Sequence, residues 1–319
     1  AMFGSLASLQ NDNNIAIGSE NAAGSVLAAM GGQWLSNRCE NNIAIGTGSM
    51  SGAMNDSHNN TAVGYKSLAA ITIGDNNVAV GKESGLALTS GSENVAIGRE
   101  AMAVATTAGE NVAIGTTALG AVQAGSGANV AVGFYAMRSV DEGTGDGDAD
   151  YNVAIGYDAL KGGDFGSGND GKDLQHNIAI GFQALDGTGT DSQIGTIAIG
   201  ASALGALTTG AGNTAIGYQA GLLNTTGGGN TYIGTDVADA THVDSSHNTV
   251  IGQTSFGGSH TGSASNYNVV VGRAAMIGAL NGVDGAVAIG YGSLSALTTG
   301  AGNVAVGYTA GTALRTAAR

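Results

Sequence analysis

A five-residue unit organises this chain: Asn, a β-branched residue, Ala, Ile or Val, then Gly, as in NIAIG at 14–18, NVAIG at 94–98 and NVAVG at 303–307. Counted by the closing Gly, copies fall at Gly18, Gly46, Gly64, Gly81, Gly98, Gly115, Gly133, Gly156, Gly181, Gly200, Gly217, Gly234, Gly252, Gly272, Gly290 and Gly307. Ten of the fifteen spacings are 17 or 18 residues. The residue three before the Gly is Val, Ile or Thr in all sixteen copies, and the one just before it is Ile or Val in all sixteen. Asn opens fourteen units, and Ala stands third in thirteen. Downstream, the third residue after the Gly is Ala or Ser in fourteen copies and the fourth is Leu, Met or Phe in eleven. A fixed period of this size is the mark of stacked structural repeats, each burying its apolar face against its neighbours.

Alternating β-branched residues bounded by Asn and Gly predict a strand of about four residues. A helical reading fails, because Gly recurs too often and no 3.6-residue apolar stripe persists. The chain holds 57 Gly and no Pro in 319 residues. Proline would remove a ladder N–H wherever it fell in a strand, so its absence fits a chain made of strands and tight turns. A 17-residue unit has room for two short strands and two turns, which is one coil of a parallel β-solenoid. The Gly is expected at a positive φ, and Asn is expected to stack on its equivalents in a side-chain ladder. The repeat residues include Asn94, Ile97, Gly98, Asn111, Gly115, Asn152, Gly156, Asn213, Gly217, Asn303 and Gly307.

Both faces of the repeat strand are apolar, with the Val/Ile columns on one and the Ala column on the other. One face is expected to pack on the opposite sheet of its own coil. The other is expected to pack on a second copy of the chain, with the small Ala column permitting close approach, in a closed cyclic oligomer. Sixteen coils at the usual strand spacing make a rod roughly 70–80 Å long. Residues 1–13 read as an N-terminal connector or cap, 14–311 as a single repeat domain, and 312–319 as a C-terminal connector. Within the domain, 19–41 is an insertion, and 138–151 and 161–176 are extended loops.

Charge narrows the partners. Ten Lys and Arg against 24 Asp and Glu give a net charge of −14, the wrong sign for phosphate binding, so nucleic acid is not expected. No run approaches the roughly 18 apolar residues of a membrane span, and the start, Ala1-Met2-Phe3-Gly4, has no signal-peptide pattern. Cys39 has no second Cys to pair with. No Ser/His/Asp set or phosphate-binding loop stands out from the repeats, so neither an enzyme nor a resident cofactor is expected.

Three features invite binding hypotheses. Asp141, Asp146, Asp148 and Asp150 include a D-x-D-x-D start like that of a Ca²⁺ loop, although Tyr151 replaces the turn Gly and Tyr157 the closing Glu. The steps from Gly133 to Gly156 and from Gly156 to Gly181 are 23 and 25 residues, which places two long loops on consecutive coils. Seven aromatics directly follow the repeat Gly: Tyr65, Phe134, Tyr157, Phe182, Tyr218, Tyr291 and Tyr308. Of these, Tyr157, Phe182, Tyr218, Tyr291 and Tyr308 are the candidate receptor-binding residues, as a ladder of rings for sugar faces or as simple coil-to-coil packing. Paired Thr at 89, 106, 208, 225 and 298 read as turns. His176 and His247, each just before the repeat Asn, and His58 read as exposed turn histidines.

The NVAIG-x-x-A-L units resemble the head of YadA-type trimeric autotransporter adhesins, and runs such as TTGAGNTAIGYQAG resemble the NTAIGYQA repeats of phage tail fibres. The resemblance covers about 14–311. It implies a left-handed β-roll of about sixteen 17–18-residue coils assembled as a homotrimer. It also implies attachment to a cell-surface glycan or protein receptor, on a virion tail or at a cell surface. The period exceeds the adhesin-head unit of about 14 residues, and no heptad stalk or anchor is present. These differences tilt the expectation towards a tail-fibre segment, with an adhesin head or a self-assembling extracellular filament subunit as alternatives.

Overall fold

The structure is a computed structural model that describes residues 13–18, 39–121, 125, 127–140, 149–162, 173–188, 192–260 and 262–316. It is an all-β parallel β-solenoid with about 13 regular turns of about 18 residues, and no helix occurs among the described residues. The steps following Gly18, Gly133 and Gly156 are markedly longer, and those following Gly181 and Gly252 exceed 18 by one and two residues. Two compact units divide the described chain after residue 155.

The first unit carries eight strands: β1 (Ile15–Ile17), β2 (Ile43–Ile45), β3 (Thr61–Val63), β4 (Val78–Val80), β5 (Val95–Ile97), β6 (Val112–Ile114), β7 (Val130–Val132) and β8 (Val153–Ile155). The second carries ten: β9 (Leu174–Gln175), β10 (Ile178–Ile180), β11 (Gln193–Ile194), β12 (Ile197–Ile199), β13 (Thr214–Ile216), β14 (Thr231–Ile233), β15 (Thr249–Ile251), β16 (Val269–Val271), β17 (Val287–Ile289) and β18 (Val304–Val306). Within each unit the repeat strands pair in parallel with like residues opposed, as in Ala79 on Ala96 on Ala113. That register follows from the repeat itself, since a slip by one residue would exchange the two faces of the strand.

The Gly column sets how closely coils stack. Gly115 has φ +137°, and a Cβ there would overlap the carbonyl oxygen of Gly133 in the next coil. The Asn column sits inside. Asn94 takes its backbone N–H to Asn77 Oδ1 at 3.0 Å, and its Nδ2 donates to the same oxygen at 3.0 Å and to the Ala108 carbonyl at 2.8 Å. Its own Oδ1 accepts from the backbone N–H and Nδ2 of Asn111. Every polar atom of a fully buried amide is thereby matched. Thr196 and Ala286 stand where Asn would be, and both are buried.

Two expectations are corrected. Each regular coil supplies one strand instead of two, and the return path is a chain of turns apart from the short pair β9 and β11. The reason is local: the second and fourth residues after the Gly adopt left-handed φ, as at Lys66 (54°) and Leu68 (47°) or Glu100 (58°) and Met102 (50°). Alternating handedness cannot pleat into a strand. The faces are also reversed. The Ala column is the buried one, with Ala44, Ala62, Ala79, Ala113 and Ala154 at 0% exposure, while the flanking Val and Ile look outward. A coil whose interior already holds the Asn ladder and the buried Leu or Met of the following turn has room for a small side chain beside them, Ala in most coils and Val at Val250 and Val270.

Candidate interaction surface

Because strand side chains alternate, burying Ala turns two β-branched columns out of the coil. Ile97, Ile114 and Ile155 in the first unit are 36–38% exposed, and so are Ile216, Ile251 and Ile289 in the second, at 37–38%. Even interior repeats of each ladder therefore present an apolar, uncharged face. The same positions are Val, Ile or Thr in every copy, so no charged residue interrupts it.

The aromatic column lies just beyond the strand, and its rings are exposed. Tyr157 and Phe182 stack with centroids 5.4 Å apart and planes 14° apart, as do Tyr291 and Tyr308 at 5.3 Å and 12°. The Arg273 guanidinium sits 5.9 Å from the Tyr291 ring, Lys66 Nζ lies 5.4 Å from Tyr65, and Phe134 contacts Tyr135. Six of the seven rings thus have one of the chain's own side chains against them while staying exposed. Tyr218 is the exception among the seven: no ring or cation of the described residues lies against it, and Ala201 and Thr235 occupy its column in the coils on either side.

Of the proposed Ca²⁺ residues, Asp141, Asp146 and Asp148 lie outside the described residues. Asp150 is described, and its Oδ1 accepts the Gly127 backbone N–H at 2.6 Å. This contact has equivalents elsewhere: His58 N–H to Asp75, Gly228 N–H to Ser246, and Asn266 N–H to Asp284. Two residues before the repeat Asn, a side-chain oxygen recurrently receives the backbone N–H of the preceding coil. The column was missed in the sequence because Asp, Ser and Asn share the role without sharing an identity. Glu110, Asp150 and Tyr151 line a shallow depression of about 280 Å³ together with glycines of neighbouring coils. Among the described residues no three His, Cys, Asp or Glu side chains are grouped to hold a metal ion.

The remaining candidates have structural partners. His247 stacks on Tyr267 at 5.1 Å, and His58 Nε2 is 3.1 Å from Asp56 Oδ1. The hydroxyls of Thr72, Thr89 and Thr208 each donate to a carbonyl of the next coil at 2.9 Å, so this column is internal bonding in a turn. Cys39 is buried, and its Sγ accepts from Ser57 N–H at 3.5 Å. Trp34 lies outside the described residues.

A buried tyrosine and a partly buried histidine escaped sequence reasoning. Tyr232 replaces the usual Ala in β14 and is fully buried; burial pushes its hydroxyl well above the usual phenol range, against the lowering effect of nearby Thr241 and Asn248. His260 meets the edge of Phe256 at 4.8 Å, and neither ring nitrogen has a close hydrogen-bond partner among the described residues. Burial pulls its pKa down to about 4; the Phe256 carbonyl opposes that shift and His242 adds to it.

No protein-family model matches this chain, and no curated protein or solved structure does either.

Proposed function

We propose that this chain is a β-roll segment of a homotrimeric attachment fibre, of the tail-fibre kind, whose coils display weak receptor contacts in three copies. The observation that carries the reading is the uncharged Val/Ile face left half-exposed on both units. Soluble monomers rarely leave a large contiguous apolar patch uncovered, and burying such surface gains roughly 25 cal/mol per Å² before association costs. A second copy of the same chain offers a matching face with the same axial repeat, and cyclic closure covers every copy equally. The homotrimer and the attachment role extend the resemblance to adhesin heads and tail fibres; the direction of the exposed face supports the assembly half of that reading. Three copies of each weak site raise avidity without any new contact.

The test is native mass spectrometry with sedimentation on the wild type and on Ile97→Lys/Ile114→Lys. Both residues face outward, so the variant is expected to keep its fold and become monomeric, and to lose cell binding at equal chain concentration. A wild type that is folded and monomeric at micromolar concentration would sink the proposal.

A further inference from the structure

In the second unit, the residue after the repeat Gly runs Tyr157, Phe182, Ala201, Tyr218 in successive coils. Tyr157 covers one face of Phe182, stacking at 5.4 Å with the planes 14° apart. The opposite face of Phe182 looks along the column to Ala201, which has only a methyl group to fill its step. Beyond Ala201 stands Tyr218, which no ring or cation of the described residues contacts. Both flanking aromatics are 52% exposed, open enough for a ligand to reach their rings. Backbone bonds hold the three coils in register here: Ser202 N–H reaches the Phe182 carbonyl at 2.9 Å, and Gln219 N–H the Ala201 carbonyl at 2.9 Å.

We infer that Phe182, Ala201 and Tyr218 form a slot that takes one neutral pyranose ring between two aromatic side chains. The gap is set by the ladder. Phe182 and Tyr218 are two coils apart, about twice the 5.3–5.4 Å step seen between stacked rings in this column. A flat ring in contact on both faces needs only about 7 Å, so it would rattle; a puckered, saturated sugar ring is thicker and presents C–H groups to both faces. The next column supplies the polar partners. Gln183, Ser202 and Gln219 follow the three slot residues directly and are half-buried, offering two amides and a hydroxyl. Amide and hydroxyl groups suit sugar hydroxyls, and none of the three carries a charge that would select an acidic sugar.

The inference deepens the attachment reading by naming a ligand class, and it rests on that reading. It is tested on the intact chain by saturation-transfer NMR and calorimetry with the methyl pyranosides of glucose, galactose and mannose, and with indole as a flat probe. At least one pyranoside is expected to bind. Ala201→Tyr, which completes the ladder with a residue several coils already carry at this position, is expected to weaken that binding at least tenfold while the protein stays folded. Tyr218→Ala should do the same, whereas Tyr267→Ala, outside the column, should leave it unchanged. Equal binding by Ala201→Tyr overturns the slot, as does a preference for indole or the absence of any pyranoside signal. Sedimentation of the same samples separates the two readings, since an oligomer that binds no pyranoside overturns the slot and leaves the attachment reading standing.

Discussion

At the scale of single residues, the repeat Gly answers two demands that no other residue meets together. Gly115 sits at φ +137°, where a side chain is strained, and its would-be Cβ points into the backbone of the next coil. Gly307 has similar dihedral strain, φ +133°, but the nearest atom to its would-be Cβ is the Ala310 Cβ at 3.8 Å. Gly307→Ala is therefore expected to cost about 1–3 kcal/mol from strain alone, and Gly115→Ala clearly more, because it also forces two coils apart. Urea unfolding of both variants checks the difference; equal losses would mean that stacking contributes nothing to the Gly requirement. The glycine turn was legible in the sequence because only Gly fits it. The left-handed residues two and four positions later were not, since Lys, Glu, Gln, Leu and Met fill them. Their conformation is imposed by the coil against local preference, and a tertiary constraint of this kind leaves no residue-type signature.

Among elements, the strand stack depends on its Asn ladder as much as on its backbone bonds. Asn94→Ala would leave the buried Asn111 backbone N–H without its acceptor and the Ala108 carbonyl without a donor, and would take one acceptor from Asn111 Nδ2, which keeps the Gly109 carbonyl. Buried polar groups left unmatched cost about 1–3 kcal/mol each, so a loss of several kcal/mol in chemical unfolding is expected. A loss under about 1 kcal/mol would mean that water replaces the amide. The ladder was legible because Asn recurs at a fixed place, but the inward face was not. Period-two alternation says that two faces differ and is silent on which is inside; the width left by the inner Leu and Met decides it. Where this width changes, the sequence compensates across coils. A Cβ at Gly221 would lie 2.6 Å from Tyr232 Cδ2 and 2.9 Å from Leu204 Cδ2, so Tyr232 takes the volume that Leu or Met fills elsewhere. The candidate slot was hidden for a related reason: the aromatic column is visible as a pattern, whereas Ala201 reads as an ordinary gap in it until the stacking distances are known.

For the whole molecule, acid is expected to act in opposite directions on the proposed association and on folding. Each copy carries a net charge of −14, and bringing copies together through an uncharged Val/Ile face sets these charges against one another. Lowering the pH towards the isoelectric point near 4.4 reduces that repulsion, as added salt does by screening. Within the chain, His260 works the other way. Its folded pKa is held down to about 4, below the roughly 6.5 of an exposed imidazole. The unfolded chain therefore binds the extra proton first, and the stability due to neutral His260 is complete above about pH 6.5 and is lost as the pH falls towards 4. From pH 7 to pH 5, the oligomer is accordingly expected to resist dilution better by sedimentation, while denaturant unfolding of monomeric Ile97→Lys/Ile114→Lys shifts to lower midpoints. Adding His260→Leu to that monomer removes the titrating group and should flatten the midpoint across this pH range. A midpoint that falls just as steeply in the His260→Leu background would place the acid sensitivity elsewhere, and oligomers that dissociate more readily at pH 5 would show that ionised side chains, and not the apolar face, hold the copies together.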